Sequence, residues 1–242
     1  MALLNTRSVS NKTFLLNDFF TQRCLDLLFL TETWLGAGET SVFGELCPTN
    51  CSFLSTPRSS GRGGGVALVF RDTFKLRLLS VGSYSTFEIQ CVMVESTSTP
   101  LVCALVYRPP KPNKDFISEF SDFLSHYITL HDRLLVLGDF NIHVCCPDKP
   151  MVKEFCHLLD SLGFMQHINQ STHVLGHTLD LILSHGLSID NVNVEDAYLS
   201  DHKPIVFNVN ISDPQCTAKS PDRYARYIGP LTAEQFADSF LS

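Results

Sequence analysis

The chain has 242 residues, 44% of them hydrophobic, enough to bury a substantial core within one domain. A formal charge of -7 and a pI near 5.7 argue against a surface that coats nucleic acid nonspecifically. Local basic loops are not excluded, and Arg7, Lys12, Arg58, Arg62, Arg108, Lys111 and Lys114 all fall in the first half. The absence of an apolar run long enough to span a bilayer, and of a basic-then-apolar leader, predicts an intracellular chain that is neither membrane-bound nor secreted. Nine cysteines, an odd count without a repeated framework, read as reduced thiols. Without a secretory route, the glycosylation patterns at Asn11-Lys-Thr13 and Asn169-Gln-Ser171 carry no weight.

In chain order, Ala2-Leu-Leu4 is a short apolar run ending at Asn5. Phe14, Leu15, Asp18, Phe19, Gln22 and Arg23 then have helical spacing, with Ser10-Asn11 as the cap candidate. Short β-branched and apolar runs predict strands at Leu27–Leu30, Val66–Phe70, Phe87–Val94, Leu101–Tyr107, Leu134–Leu137, Leu179–Leu183 and Pro204–Val209. Gly61-Arg-Gly-Gly-Gly65 lacks the lysine and helix of a phosphate-binding P-loop and reads as a flexible hairpin. A second helix is predicted over Asp115–Ile128, with Phe116, Phe120, Phe123, Leu124 and Tyr127 on one stripe. A third covers Met151–Leu162 and stops at Gly163. Many strands with few helices predict stacked sheets with helices outside. Residues 1–211 are expected to form the domain. Residues 212–242 read as a linker, Ser212 to Pro221, and a short helical tail over Leu231–Leu241, poorly ordered.

The stretch most telling of function is Leu134-Leu-Val-Leu-Gly-Asp-Phe-Asn141. Near strand geometry, residues two apart point the same way, so Asp139 and Asn141 share one side while Phe140 anchors the other. A carboxylate beside an amide donor suits a phosphate ester: one handles a proton or metal, the other bonds a phosphoryl oxygen. Other polar groups also end apolar runs: Asn5, Glu32 in Thr31-Glu-Thr-Trp34, Tyr107 with Arg108, Asp180, and Ser200-Asp-His202.

Singly, each has an ordinary reading. Asp-Phe-Asn after glycine is often a turn, Glu32 a solvated loop acid, Tyr107 an amphipathic strand end, and Asp201-His202 a surface pair. Asp180 is harder to dismiss, because a carboxylate buried in an apolar run costs several kcal/mol unless paired.

Taken in order, Asn5, Glu32, Tyr107, Asp139, Asn141, Asp180, Asp201 and His202 resemble the endonuclease/exonuclease/phosphatase superfamily, which includes pancreatic deoxyribonuclease and apurinic endonucleases. More closely, Asn5-Thr-Arg-Ser8 with Asn11-Lys12, Glu32-Thr-Trp34, Val106-Tyr-Arg-Pro-Pro110, Gly138-Asp-Phe-Asn141, Thr178-Leu-Asp180 and Ser200-Asp-His202 look like the target-nicking endonuclease domain of non-LTR (LINE-type) retrotransposons. The likeness runs from Met1 to Asn210.

The resemblance implies an α+β fold, a four-layer α/β/β/α sandwich of two mostly antiparallel sheets flanked by helices. It implies a Mg2+-dependent enzyme, with Mn2+ as a substitute, that nicks double-stranded DNA to leave 3′-OH and 5′-phosphate ends. Glu32 would be the main metal ligand, with Asn5 in its shell and Asp201 as a second carboxylate. Asp139 would orient or deprotonate the attacking water, and Asn141 would hold a phosphate oxygen. His202, oriented by Asp180, would contact the scissile phosphate as acid–base partner, and Tyr107 would touch the phosphate or leaving group. Arg7, Arg108, Thr172 and Ser200 are candidate DNA contacts.

The reverse transcriptase expected downstream is absent, and Asn5 lies close to Met1, as in a fragment of a mobile element or a gene derived from one. Nuclear location follows only from the DNA substrate. Two alternatives stand beside this reading: a phosphatase acting on a small phosphoester, and an inactive remnant. Soft ligands at Cys47, Cys51, His143, Cys145, Cys146, Cys156 and His157 show no repeated zinc-knuckle spacing and read as incidental thiols.

Overall fold

A computed structural model describes residues 1–58, 61–95 and 100–210. The expected linker and tail, 212–242, lie outside the described residues. In chain order the elements are β1 (Ala2–Asn5), α1 (Thr13–Gln22), β2 (Leu27–Thr31), α2 (Ser41–Leu46), β3 (Cys51–Thr56), β4 (Val66–Arg71), β5 (Leu76–Leu79) and β6 (Glu88–Val94). They continue with β7 (Leu101–Tyr107), α3 (Phe116–Leu130), β8 (Leu134–Asp139), α4 (Pro150–Ser161), β9 (Met165–Gln166), β10 (Asp180–His185), β11 (Ser188–Val194) and β12 (Ile205–Asn210).

The strands form two six-stranded sheets, ordered β11-β12-β1-β2-β4-β3 and β5-β6-β7-β8-β10-β9. Each contains one parallel pair, β1 with β2 and β7 with β8, and is otherwise antiparallel. Three apolar clusters separate four layers. Leu3, Phe29 and Leu68 of the first sheet meet Val92, Leu105, Leu137 and Ile182 of the second. The outer face of the first sheet, including Leu4, Leu30 and Val69, packs under Leu16 and Phe20 of α1 and Phe43 of α2. That of the second, including Ala104, Val136 and Leu181, packs under Phe116, Phe120 and Phe123 of α3 and Phe155 of α4. This is the four-layer sandwich. Central strands buried on both faces must be apolar at every position, so they appear in the sequence as unbroken runs.

Local chemistry explains most boundaries. Helix α4 begins with Pro150, whose missing N–H costs nothing in the first turn, and ends before Gly163, which turns with φ +69°. The Ser10-Asn11 cap does not form: Lys12 precedes α1, and no side chain caps it. The glycine-rich segment does join a hairpin, since Thr56 of β3 pairs with Val66 of β4.

Candidate active site

Gly138 sets the geometry at the rim of the second sheet. With φ +148° it passes so close to β7 that a Cβ would stand 1.8 Å from the Val106 carbonyl oxygen, so only glycine fits. Directly after it, Asp139 is paired in register with Tyr107 on one side and Asp180 on the other. Three strand ends thus deliver a tyrosine and two acids to one place. The first sheet supplies Asn5, at the end of β1 and in register with Thr31 just before Glu32.

Asp139 is wholly buried and held from three sides. Its Oδ2 accepts from Asn5 Nδ2 at 2.8 Å and from Asn141 Nδ2 at 3.0 Å, and its Oδ1 accepts from the Asn141 backbone N–H at 2.9 Å. Burial and the neighbouring Asp180 push its carboxyl up to about 8, against the opposing pull of His202 and of these donors. Asp180, also buried, meets His202 Nδ1 with Oδ2 at 2.7 Å. Burial alone would lower the His202 imidazole, but Asp180 outweighs it and, with Asp139 and Asp201, raises it to about 9.

Glu32 joins this cluster through Tyr107, whose hydroxyl donates to Oε1 at 2.9 Å. Burial and the charge of Glu32 push that hydroxyl far above its usual value, so it remains a donor. Trp34 Nε1 donates to Oε2 of Glu32 at 3.0 Å. Both Glu32 and Trp34 have positive φ, +52° and +57°, a turn that brings their side chains together. Asp201 is bonded to Arg7 Nη1 at 2.5 Å and to Ser200 Oγ at 3.1 Å. Its partial burial would raise the carboxyl, yet these bonds win and hold it below its ordinary value.

The structure therefore brings together Asn5, Glu32, Tyr107, Asp139, Asn141, Asp180, Asp201 and His202. Some expected contacts come out differently. Asn141 Nδ2 donates to the Arg108 carbonyl at 2.8 Å as well as to Asp139, so both amide hydrogens are spent within the protein. Arg108, expected at DNA, is buried; it reaches the Phe140 and Asn141 carbonyls and covers the Phe116 ring. Thr172, expected at a phosphate, is fully buried, and its hydroxyl accepts the N–H groups of Leu179 and Asp180. Ser200 Oγ turns back to accept the His202 N–H at 3.3 Å while it bonds Asp201. Among these four, Arg7 keeps its side chain about half exposed.

Two neighbours had no assigned role. Trp34, two residues beyond Glu32, was within reach of the spacing rule that joined Asp139 to Asn141. His173 carried no signal; a bridge to His202 in the fold sets its Nε2 3.4 Å from Asp201 Oδ2.

Hard oxygen donors on Glu32, Asn5 and Asp201 suit a divalent cation. Asp139, Asp180 and His202 offer ligand atoms within 4.8 Å of one another, and so do His173, Asp201 and His202. Asp180 Oδ1 is buried with no hydrogen-bond partner among the described residues, an acceptor left open beside Asp139 and His202. The residues present fit the metal.

A model of the endonuclease/exonuclease/phosphatase family matches residues 5–202. The chain belongs to this family. Membership supports a metal-dependent hydrolase of phosphate esters. Among solved structures, the chain is similar to the endonuclease domain of TRAS1, a telomere-specific non-LTR retrotransposon, at 14% identity and a TM-score of 0.69, covering 88% of this chain and 98% of that one. It is similar to an AP endonuclease from Leishmania major at 14% identity and TM-score 0.68, covering 88% of this chain and 87% of that one. A mannosyl-6-phosphatase from Bacteroides thetaiotaomicron VPI-5482 is similar at 12% identity and TM-score 0.62, covering 86% of this chain and 98% of that one. At these identities the shared property is the fold. No curated protein matches the chain. Among the described residues no helix is long and apolar enough to cross a membrane.

Proposed function

We propose that the chain is a Mg2+-dependent endonuclease of the retrotransposon type, with residues 1–211 as its catalytic unit, that nicks double-stranded DNA to leave 3′-OH and 5′-phosphate ends. The observation that carries the reading is the pairing of a triply held Asp139 with a His202 charged by Asp180. Phosphodiester hydrolysis needs a proton acceptor for water beside a cation for the phosphate. His202, raised to about 9, keeps its proton at neutral pH and is the cationic group. Asp139, raised to about 8, is mostly protonated at neutral pH, and its ionised fraction, which grows as pH rises toward 8, is the acceptor. Water attacks phosphorus and its proton passes to ionised Asp139, while the bond to the 3′ oxygen breaks and that oxygen takes a proton from His202 to leave as the 3′-OH.

Glu32, Asn5 and Asp201 would hold the magnesium, with Mn2+ able to replace it. When bound, the ion neutralises phosphate and leaving-group charge. Tyr107 and Trp34 fix the Glu32 carboxylate, and Ser200 and Arg7 fix Asp201. A polymeric substrate is supported by exposed apolar side chains beside the site. Trp34 is 46% exposed next to Glu32, and Leu175 is 73% exposed two residues past His173. A DNA substrate would place the protein in the nucleus.

Supercoiled plasmid incubated with Mg2+ tests the reading: nicked circles should form, disappear with chelator, and be absent for Asp139→Ala. Phosphate release from an inositol phosphate without nicking would make the chain a phosphatase. A folded protein inactive on both would make it a remnant.

A further inference from the structure

The glycine run Gly63-Gly-Gly65 leads into β4 and is pinned on two sides. On one side lies the turn after β2: the Thr33 N–H donates to the Gly65 carbonyl at 3.1 Å, and the Trp34 N–H to the Gly64 carbonyl at 2.9 Å. On the other side lies an ion pair. Arg58 Nε donates to Glu88 Oε1 at 2.5 Å, and Glu88 Oε2 accepts the Gly65 N–H at 2.6 Å. Arg58 Nη1 also donates to the Arg62 carbonyl at 2.9 Å. The two charged side chains are largely buried, 22% and 20% exposed. The Arg58 guanidinium stands over the Tyr107 ring, 5.6 Å from its centroid, and Glu88 is in register with Tyr107.

No side chain fits in this sandwich. All three glycines have φ between +70° and +82°. A Cβ on Gly64 would stand 2.4 Å from Arg58 Nε, and one on Gly65 2.6 Å from Thr33 Oγ1. The end of a segment that reads in sequence as a flexible hairpin is therefore a packed backbone layer. What it packs against is the turn in which Glu32 and Trp34 hold φ of +52° and +57°. Left-handed backbone in residues with side chains persists only where the surroundings over-determine it, and the Gly64 and Gly65 carbonyls supply that constraint. Glu88 belongs to the second sheet and Gly65 leads into a strand of the first, so the same contacts join the two sheets.

We infer that Arg58 and Glu88 are positioning residues for the metal site: they clamp the glycine run against the Glu32 turn and so hold the Glu32 carboxylate where it binds the ion. The inference rests on the reading of Glu32 as the main ligand. The clamp acts through the backbone of Gly64 and Gly65, and through the Tyr107 ring under Arg58, whose hydroxyl bonds Glu32. The sign of the effect separates this role from simple electrostatics. Removing a positive charge near a cation site would by Coulomb interaction alone tighten metal binding, whereas loss of the clamp weakens it.

Trp34, the single tryptophan of the chain, bonds Glu32 and reports the ion without any assay of activity. Mn2+ titrated into the full chain should quench its fluorescence, and Glu32→Gln should abolish the quenching. Arg58→Ala and Gly64→Ala should each raise the Mn2+ midpoint at least about tenfold, with the fold checked by circular dichroism. Arg62→Ala, which removes a neighbouring charge but keeps the carbonyl that Arg58 uses, should not raise it. Independently of any variant, the N–H groups of Thr33, Trp34 and Gly65 in the unaltered protein should exchange with deuterium as slowly as strand amides. Quenching that survives Glu32→Gln overturns the metal assignment and the clamp together. Where Glu32→Gln does abolish it, the clamp alone is overturned by a midpoint unchanged or lowered in Arg58→Ala and Gly64→Ala, or by loop-like exchange of those three amides. A raised KM for DNA at saturating Mg2+ with an unmoved Mn2+ midpoint would likewise overturn it, making Arg58 a substrate contact instead.

Discussion

Asn5 and Asp139 are 134 residues apart in the chain, yet the Asn5 amide donates to the Asp139 carboxylate at 2.8 Å, and neither side chain reaches solvent. The bond stitches the two sheets together at the rim: one partner ends a strand of the first sheet, the other a strand of the second. It also defines which way the carboxylate of Asp139 points.

Replacing Asn5 should therefore cost activity through orientation. Asn5→Ala removes one of three donors from a buried carboxylate, which should lower the nicking rate on the order of a hundredfold and stability by ~1–3 kcal/mol. Plasmid nicking at saturating Mg2+ and a chemical melt measure the two effects. A rate loss that vanished at higher Mg2+ would point to metal affinity instead.

His202 governs the alkaline side of the pH profile. Its folded pKa, about 9, lies above the value near 6.5 expected in an unfolded chain. The pairing with Asp180 therefore stabilises the fold fully below about 6.5, and the contribution fades as pH rises through about 9. Nicking that relies on the imidazolium should fall over the same alkaline limb. Asp180→Asn removes the charge that raises His202, so this limb should move to lower pH, measurable in kcat against pH. An unmoved limb would assign it to another group.

Thr172 separates a structural role from DNA contact. Thr172→Val leaves the N–H groups of Leu179 and Asp180 without their acceptor, at a cost of ~1–3 kcal/mol, and Thr172→Ser should restore most of it. The dependence of DNA affinity on salt should stay the same, whereas loss of a phosphate contact would reduce its slope by about one.

Gly138→Ala should be among the most damaging single changes. A methyl group there collides with the Val106 carbonyl, and relief requires β7 and β8 to part where Tyr107 and Asp139 are paired. Loss of several kcal/mol, or insoluble protein, is expected. A variant with wild-type melting and activity would contradict the close approach.

How much of this could be read beforehand depended on how deeply each segment is buried. The central strands β1, β2, β4, β6, β7, β8, β10 and β12 all stood out as apolar runs. The strands that did not, β3, β5, β9 and β11, are the four sheet edges. An edge strand faces water along part of its surface, so Ser188–Val194 mixes polar with apolar residues, and Met165–Gln166 is too short for a pattern. Six-residue α2 escaped for the same lack of length.

The sequence alone determined which chemical groups stand at the ends of apolar strands, because strand burial and side-chain alternation are local properties. The family order of Asn5, Glu32, Asp139, Asp180 and His202 followed from that. Only the tertiary structure decided which way the polar side chains turn. Arg108 and Thr172 look like surface groups in a one-dimensional reading, yet each is drawn inward to satisfy backbone groups that packing has cut off from water. The meeting of Arg58 with Glu88 was equally beyond reach, since it joins a loop of the first sheet to a strand of the second, a long-range event with no trace in residue spacing.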